Sequence, residues 1–387
     1  MKIKVGVIFG GPSVEHEVSV ISAIQAMNNI DTDKYEIVPI YITKDGTWYT
    51  GNILKDINNY KDMNTIKKDA KQVSLIKNDN RFVLQKPSGL FREVNDIDVA
   101  FPIVHGYGVE DGTLAGYLST LNIPYVGSNT LGGAIAQDKV VMKQVFAATN
   151  LPIVDYTWFY DSEYNLNRNQ ILKDVKKIGY PVIVKPASLG SSVGISYVKD
   201  ADELDKSVKD AIQYDNKIVI EKVIPNLLEV NCSIVGNYEF QDASAIEEVT
   251  SHNDFLTYSD KYEGKGKTKG MVSASRVIPA RISKEMTEKV EEISKSAFKA
   301  VNLSCIARID FLINSKTKEI YINEINSIPG SLSFYLWTPK GKKYSQLLDE
   351  LITLAIKDYK NKQQKVNSFD TNILNNFKKN GIKGIKK

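Results

Sequence analysis

Residues 305–330 read CIARIDFLINSKTKEIYINEINSIPG, and the rest of the chain is read outward from them. Residues 306–313 alternate polar and apolar, residues 319–326 do the same, and Asn314, Ser315 and Lys316 between them are turn formers, so the stretch predicts two strands of a hairpin. Side chains repeat every two residues along a strand. Arg308 and Asp310 therefore share one face of the first strand, and Glu324 and Asn326 share one face of the second. Paired, the strands gather two carboxylates, a carboxamide and a guanidinium on one patch. Two carboxylates and an amide oxygen form a hard, all-oxygen ligand set that suits Mg²⁺ with phosphate oxygens completing its shell. Adjacent carboxylates are costly without a cation, which also argues for metal. A half-exposed hairpin with polar residues facing water is the other reading of this stretch alone.

A chain of 387 residues is expected to divide into two or three domains. Hydrophobic residues make up 42% and charged residues 25%, a soluble globular composition, and no apolar run reaches membrane-spanning length. The first residues enter a strand pattern, so no signal peptide is expected. The two cysteines, Cys232 and Cys305, lie far apart, which fits a reducing cytoplasm. Of the net charge of +4, residues 361–387 carry +6, leaving −2 on the body. The body is not a basic nucleic-acid binder, and the basic tail reads as a solvated end.

Residues 2–9 form a short apolar run broken by Gly10, Gly11 and Pro12, and a helical pattern follows over 17–29. Strand, glycine turn and helix open an α/β domain whose ligands sit at strand carboxyl ends. The turn GGPSVEHE lacks the dinucleotide spacing G-x-G-x-x-G. Glu15 lies in the turn itself, whereas Glu17 suits a helix start. Residues 35–42 predict a second strand, and 44–95, polar and lysine-rich, an elaborated surface region. Residues 98–104 predict a buried strand ending in His105 and the glycine-rich loop 106–112, followed by a helix over 113–121 and a short strand over 123–127. Residues 132–150 look helical. The strand at 181–187 carries Lys185 and runs into Ser188-Leu189-Gly190-Ser191-Ser192-Val193-Gly194, small residues that let backbone N–H groups approach phosphate oxygens. No Gly-Lys-Ser/Thr opens a helix there, so this is not a P-loop. Further strands are expected at 217–224, with Glu221 and Lys222, and at 229–235. Residues 251–278 have little periodicity, and a loop that long predicts a functional or disordered segment. Helices are expected at 200–214, 283–301 and 344–359.

Seven motifs in order resemble the D-alanine–D-alanine ligases of the ATP-grasp superfamily. They are GGPSVEHEVS at 10–19, HGYGVEDGT at 105–113, IPYVGS at 123–128, QDKVVMK at 137–143, PVIVKPASLGSSVG at 181–194, DKY at 260–262, and RIDF with NEINSIPG within 308–330. The resemblance implies a three-domain α/β ligase, cytoplasmic and homodimeric in the family's manner: an N-terminal parallel α/β substrate domain over 1–127, then two α+β domains, 128–224 and 225–360, clasping ATP, with a tail over 361–387. It implies that Lys139, Lys185 and Ser192 bind ATP phosphates, with Lys261 carried on a closing loop. Glu221 and Lys222 would sit by the adenine and Glu229 by the ribose. Asp310, Glu324 and Asn326 would hold two Mg²⁺ ions, with Mn²⁺ as an alternative, and Arg308 would stabilise the transferred phosphoryl group. Glu15 would receive the ammonium of the first D-alanine with His105 nearby, and Ser191 and Tyr262 would hydrogen-bond as the loop closes. The implied activity is ATP-dependent joining of two D-alanines through an acylphosphate, for peptidoglycan precursors.

After Gly330 the pattern departs. The family usually continues with a Thr/Ser-rich segment that holds the second substrate's carboxylate, whereas here Ser331-Leu332-Ser333-Phe334-Tyr335-Leu336-Trp337 follows. Ser333 or Tyr335 is expected to take over that role, or the rings to pack a shortened loop. A second residue other than D-alanine, such as D-serine or D-lactate, is the alternative; Tyr262 argues against the hydroxy acid. A nucleotide-binding protein without ligation is the reading from another class, and intact Arg308, Asp310, Glu324 and Asn326 argue against it. A dehydrogenase lacks its glycine fingerprint.

Overall fold

The computed structural model describes residues 2–190, 193–250 and 275–366. The apolar opening run is strand β1 (Ile3–Gly10), which pairs in parallel with β2 (Tyr35–Ile42), Ile3 opposite Tyr35. The helix His16–Met27 connects them. Short antiparallel strands β3 (Trp48–Thr50) and β4 (Lys71–Gln72) extend the sheet. Beyond them, β5 (Ser74–Asn78), β6 (Arg81–Gln85) and β7 (Glu93–Ile97) build a separate three-stranded sheet. The surface region expected over 44–95 is thus an ordered subdomain edge. Its buried apolar residues, among them Leu54, Ile66, Val73, Leu75, Val83 and Leu84, are scattered among polar residues too irregularly to give a readable period. Strand β8 (Val99–Val104) returns to the far side of β1, giving the order β4-β3-β2-β1-β8.

The helical stretch over 132–150 is two helices, Thr130–Gln137 and Lys139–Ala148. Asp138 breaks them: its extended backbone ends the first, and its carboxylate accepts from Val140 N and Val141 N to cap the second. The expected short strand near 123–127 is a single bridge from Ala100 to Tyr125.

The second sheet is antiparallel, ordered β11-β10-β12-β9, from β9 (Tyr156–Tyr160), β10 (Val182–Pro186), β11 (Ser196–Val198) and β12 (Lys217–Lys222). Val182, Val184, Ile218 and Ile220 pack under the helices Arg168–Ile178 and Ala201–Ile212. Alternation then sends Ile183 and Lys185 to the other face, with Ile183 directly opposite Glu221.

The third sheet runs β15-β14-β13-β16-β17, from β13 (Leu227–Gly236), β14 (Gln241–Thr250), β15 (Ser275–Val277), β16 (Cys305–Asn314) and β17 (Ile320–Asn326). The predicted hairpin is β16–β17. One face is covered by the helix Lys284–Ala300, whose Met286, Val290, Ser294 and Ala297 are buried at helical spacing and whose start is capped by Ser283 accepting from Met286 N at 3.2 Å. The last helix, Tyr344–Gln363, buries Leu347, Leu348, Leu351 and Ile352 in one core with Val5, Val7 and Trp337, and so ties the first sheet to the third.

Candidate active site

A cavity of about 270 Å³ lies where the three sheets meet. The first sheet supplies Glu15, His105 and Glu110 to its wall, the second Lys185 and Glu221, and the third Arg308, Asp310, Glu324 and Asn326. Lys139, Lys222, Glu229, Gly330 and Tyr335 also line it. Of the residues expected at the site, these are brought together. Ser333 is not among the lining residues. It is fully buried, its hydroxyl has no hydrogen-bond partner among the described residues, and residues Ser331, Leu332 and Ser333 each have φ near +50°. That left-handed run packs Ser333 into the protein and corrects the expectation that its side chain meets a substrate. Ser191, Ser192, Lys261 and Tyr262, with the tail from residue 367 on, lie outside the described residues.

The hairpin places its polar residues by register. Asp310 sits opposite Glu324 and Arg308 opposite Asn326. Ile320 and Ile322 are buried in the core, so strict alternation would send Glu324 inward as well. A bulge opposite Asp310 and Phe311 shifts the register, and Asn323 and Glu324 both reach the cavity. Arg308 grips Asp310 with both ends of its fork, Nε to Oδ1 and Nη2 to Oδ2, each 2.6 Å. Burial works against the Arg308 charge, but Asp310 outweighs it and keeps the guanidinium protonated. Asn326 Nδ2 donates to Asp310 Oδ2 at 3.1 Å.

Among the described residues no three His, Cys, Asp or Glu side chains stand close enough to hold a metal by themselves. The available donor set is two carboxylates on facing strands plus one amide, with cations already drawn to both carboxylates: Arg308 to Asp310, and Lys139 to Glu324 at 3.8 Å. Such a set fits a hard divalent cation that shares its shell with phosphate oxygens.

Opposite the hairpin is a buried charge cluster. Glu221 lies 2.8 Å from Lys185 and 3.1 Å from Lys143. Burial raises the Glu221 carboxyl, but the ammonium groups of Lys143 and Lys185 overcome it and hold it well below the usual carboxylate range. Burial likewise pushes Lys139 and Lys143 below the ordinary lysine value. Lys185 also donates to Asn323 Oδ1 at 3.3 Å, and Lys139 Nζ to Leu189 O at 2.6 Å. Lys222, by contrast, is half exposed and 3.9 Å from Asp155.

The third wall is built on glycines. A Cβ on Gly10, at φ +89°, would stand 2.1 Å from Ile42 O, so no other residue fits this strand-to-helix turn. The turn delivers Glu15, which packs against backbone: a Cβ on Gly106 or on Gly190 would each come within 3.1 Å of its Oε2. His105 is locked. Its Nδ1–H donates to Ile328 O at 2.8 Å, and Nε2 accepts from the Ser22 hydroxyl at 3.2 Å, which in turn accepts from Ser331 N. Burial pushes its pKa down to about 4, so the ring is neutral near pH 7.

Motif reading passed over several lining residues. Glu110 accepts from Gly106 N, Ile328 N and the Ser327 hydroxyl, and so clamps the glycine loop to the end of the hairpin. Burial, then the charge of Glu15, pushes its carboxyl up to about 7. Its position inside the HGYGVEDGT motif was the available signal. Asn323 needed knowledge of the bulge. Asn231, Glu247 and Arg276 carry no local pattern, because only sheet packing brings them to the wall.

Family models for the D-ala D-ala ligase N-terminus and the D-ala D-ala ligase C-terminus match residues 4–128 and 145–353. A D-alanine–D-alanine ligase of Thermosipho melanesiensis is 41% identical over 372 residues, 96% of this chain and 98% of that protein. One from Thermoanaerobacter sp. is 40% identical, covering 93% and 98%. Among solved structures, the D-alanine–D-alanine ligase of Coxiella burnetii superposes with a TM-score of 0.79 at 30% identity, covering 94% of this chain and 96% of that one. The VanG D-Ala:D-Ser ligase of Enterococcus faecalis gives 0.77 at 31%, covering 92% and 100%. The Bacillus anthracis D-alanine–D-alanine ligase complexed with ATP gives 0.67 at 27%, covering 93% and 99%.

Proposed function

The chain belongs to the D-alanine–D-alanine ligase family, and from that premise we propose that it joins two D-alanines at the expense of ATP, through an acylphosphate, to supply peptidoglycan precursors. The observation that carries the reading is the convergence, in one cavity, of Lys139, Lys185 and Arg308 with the Asp310–Glu324–Asn326 set, facing Glu15 on the opposite wall.

In the first step a carboxylate oxygen of the first D-alanine attacks the γ-phosphorus of ATP. The bond from that phosphorus to the β,γ-bridging oxygen breaks, and ADP leaves. Two anions meet, so positive charge held in place beforehand lowers the barrier most. Lys139 and Lys185 bring two ammonium groups, and Arg308 a guanidinium fixed by Asp310. Asp310, Glu324 and Asn326 would hold Mg²⁺, which supplies further charge against phosphate oxygens when bound. Glu15, set by the glycine turn and backed by Gly106 and Gly190, receives the first ammonium.

In the second step the free amine of the second amino acid attacks the acyl carbon. The acyl C–O bond breaks, phosphate leaves, and the nitrogen sheds a proton. An acylphosphate hydrolyses readily, so the cavity must keep water from it. The neutral His105 adds no charge near the first ammonium and holds Ile328 and Ser22 in line.

The unusual segment after Gly330 supports a second reading for the last substrate alone, in which D-serine replaces the second D-alanine. One experiment tests both: ATP, Mg²⁺ and a panel of D- and L-amino acids, with products identified by mass. D-alanyl-D-alanine with matching ADP and phosphate supports the main reading. A mixed dipeptide formed in preference supports the second, and no dipeptide from any pair refutes both.

A further inference from the structure

One cluster on the cavity wall is not used by the chemistry above. Glu247 on β14 is 1% exposed. The Arg276 guanidinium on β15 lies against it, Nε to Oε1 at 3.1 Å. Asn231 Nδ2 on β13 donates to Oε2 at 3.2 Å, and the Tyr335 hydroxyl donates to the same oxygen at 3.3 Å. Arg276 also lies over the Tyr335 ring, 4.7 Å from its centroid. All four residues line the cavity.

A second amino acid brings a carboxylate into this space, and a desolvated carboxylate needs donors. Among the described residues, three side-chain donors after Gly330, those of Ser333, Tyr335 and Trp337, are spent or turned away from the cavity. The Ser333 hydroxyl is buried without a partner, Trp337 Nε1–H donates to Ser233 Oγ, and Tyr335 gives its single proton to Glu247. Arg308 has both ends of its fork on Asp310 at 2.6 Å. Arg276 differs. Glu247 takes its Nε side, the ring of Tyr335 supports its plane, and about a third of the side chain (32%) remains exposed. A guanidinium has five N–H donors, and no described residue takes its Nη groups, so these can meet a carboxylate in the bidentate geometry that Arg favours.

We propose that Arg276 receives the carboxylate of the second amino acid, with Tyr335 and Glu247 as positioning residues that hold its guanidinium flat against the wall. The assignment rests on the ligase reading. It places second-substrate selection on the β14–β15 side of the cavity and not on the hydroxyls of segment 331–337. A lysine at 276 keeps the charge but loses the fork.

The test crosses enzyme variants with two nucleophiles: D-alanine, and D-alaninamide, which lacks the carboxylate. Wild type, Arg276→Ala, Arg276→Lys and Tyr335→Leu are compared by kcat/KM for the second amine, with ATP and the first D-alanine saturating. A charge-assisted hydrogen bond is worth on the order of tenfold to a hundredfold. Arg276→Ala should lower kcat/KM for D-alanine as second substrate by that factor and leave D-alaninamide within about threefold of wild type. Arg276→Lys and Tyr335→Leu should show smaller losses of the same pattern, with the first KM and the ATP KM unchanged. Equal losses on both nucleophiles in Arg276→Ala and Arg276→Lys, or no loss on either, overturn the assignment. If wild type makes no dipeptide at all, the ligase reading falls and takes the assignment with it. If wild type makes dipeptide and the pattern is missing, only the assignment falls.

Discussion

Replacing Glu221 with glutamine takes away the carboxylate that faces two buried ammonium groups. The side chains of Lys143, Lys185 and Glu221 are 0%, 7% and 3% exposed, so water cannot replace the lost charge. Removing one partner of a buried pair costs about 3–5 kcal/mol. Proton loss sets a ceiling. A lysine of ordinary pKa can become neutral at pH 7 for about 5 kcal/mol, at 1.36 kcal/mol per pH unit. The expected penalty is therefore roughly 3–5 kcal/mol, a large part of the 5–15 kcal/mol that holds a typical protein folded. It should be read by urea unfolding without ATP. Its pH dependence carries a sign. In the variant Lys143 prefers its neutral form when folded, so the unfolded chain binds more protons and stability rises with pH. The gap to wild type should shrink between pH 7 and pH 9. Adding Lys143→Met to the variant removes the stranded ammonium and should restore more than half of the loss. A Glu221→Gln protein within about 1 kcal/mol of wild type, or no recovery in the double variant, would refute the view that this cluster is a compensated buried ion set.

Three further outcomes follow from the same geometry. Asp310→Asn and Glu324→Gln should lower kcat by about a hundredfold or more while far-UV circular dichroism stays native; near-normal turnover in Mg²⁺ means the hairpin is not the phosphate-side site. Lys185→Ala should raise the KM for ATP and also lower kcat, because its charge counts for more as phosphoryl charge develops; initial rates against ATP decide, and unchanged values remove Lys185 from the site. Glu110 holds its proton up to about pH 7 when folded, so its share of stability falls as pH rises from its ordinary value near 4.5 to about 7. His105, pushed down to about 4, contributes the opposite slope up to its ordinary value of 6.5. Glu110→Gln removes only the first, so the difference in unfolding free energy between the two proteins should change by roughly 2 kcal/mol from pH 5 to pH 7.5, and parallel profiles contradict the assignment.

The hairpin 305–330 was legible because both strands alternate and the turn between them is polar. That alternation puts Arg308, Asp310 and Asn326 on one patch, and in the structure all three line the cavity. Glu324 was placed for the wrong reason: simple alternation does not deliver it, and the bulge does. Lys185 and Glu221 were legible as cavity residues, but Lys143, fully buried between them and the Tyr156 ring, read only as part of a helical motif. A buried lysine looks like an exposed one until its partner is known. Ser333 failed because three consecutive left-handed residues turn the chain inward, a conformation that a Ser-Leu-Ser sequence does not announce. Arg276 and Glu247 come from strands whose only common property is sheet order, which no local pattern encodes.

The central claim is that a D-alanine carboxylate is activated by phosphoryl transfer in this cavity. The most direct measurement follows oxygen. D-alanine labelled with ¹⁸O in its carboxylate is turned over with ATP and Mg²⁺, and the released phosphate is analysed by mass. Ligation through an acylphosphate transfers one labelled oxygen to each phosphate, in step with each dipeptide formed. Dipeptide accompanied by unlabelled phosphate, or phosphate released without dipeptide, would contradict the account.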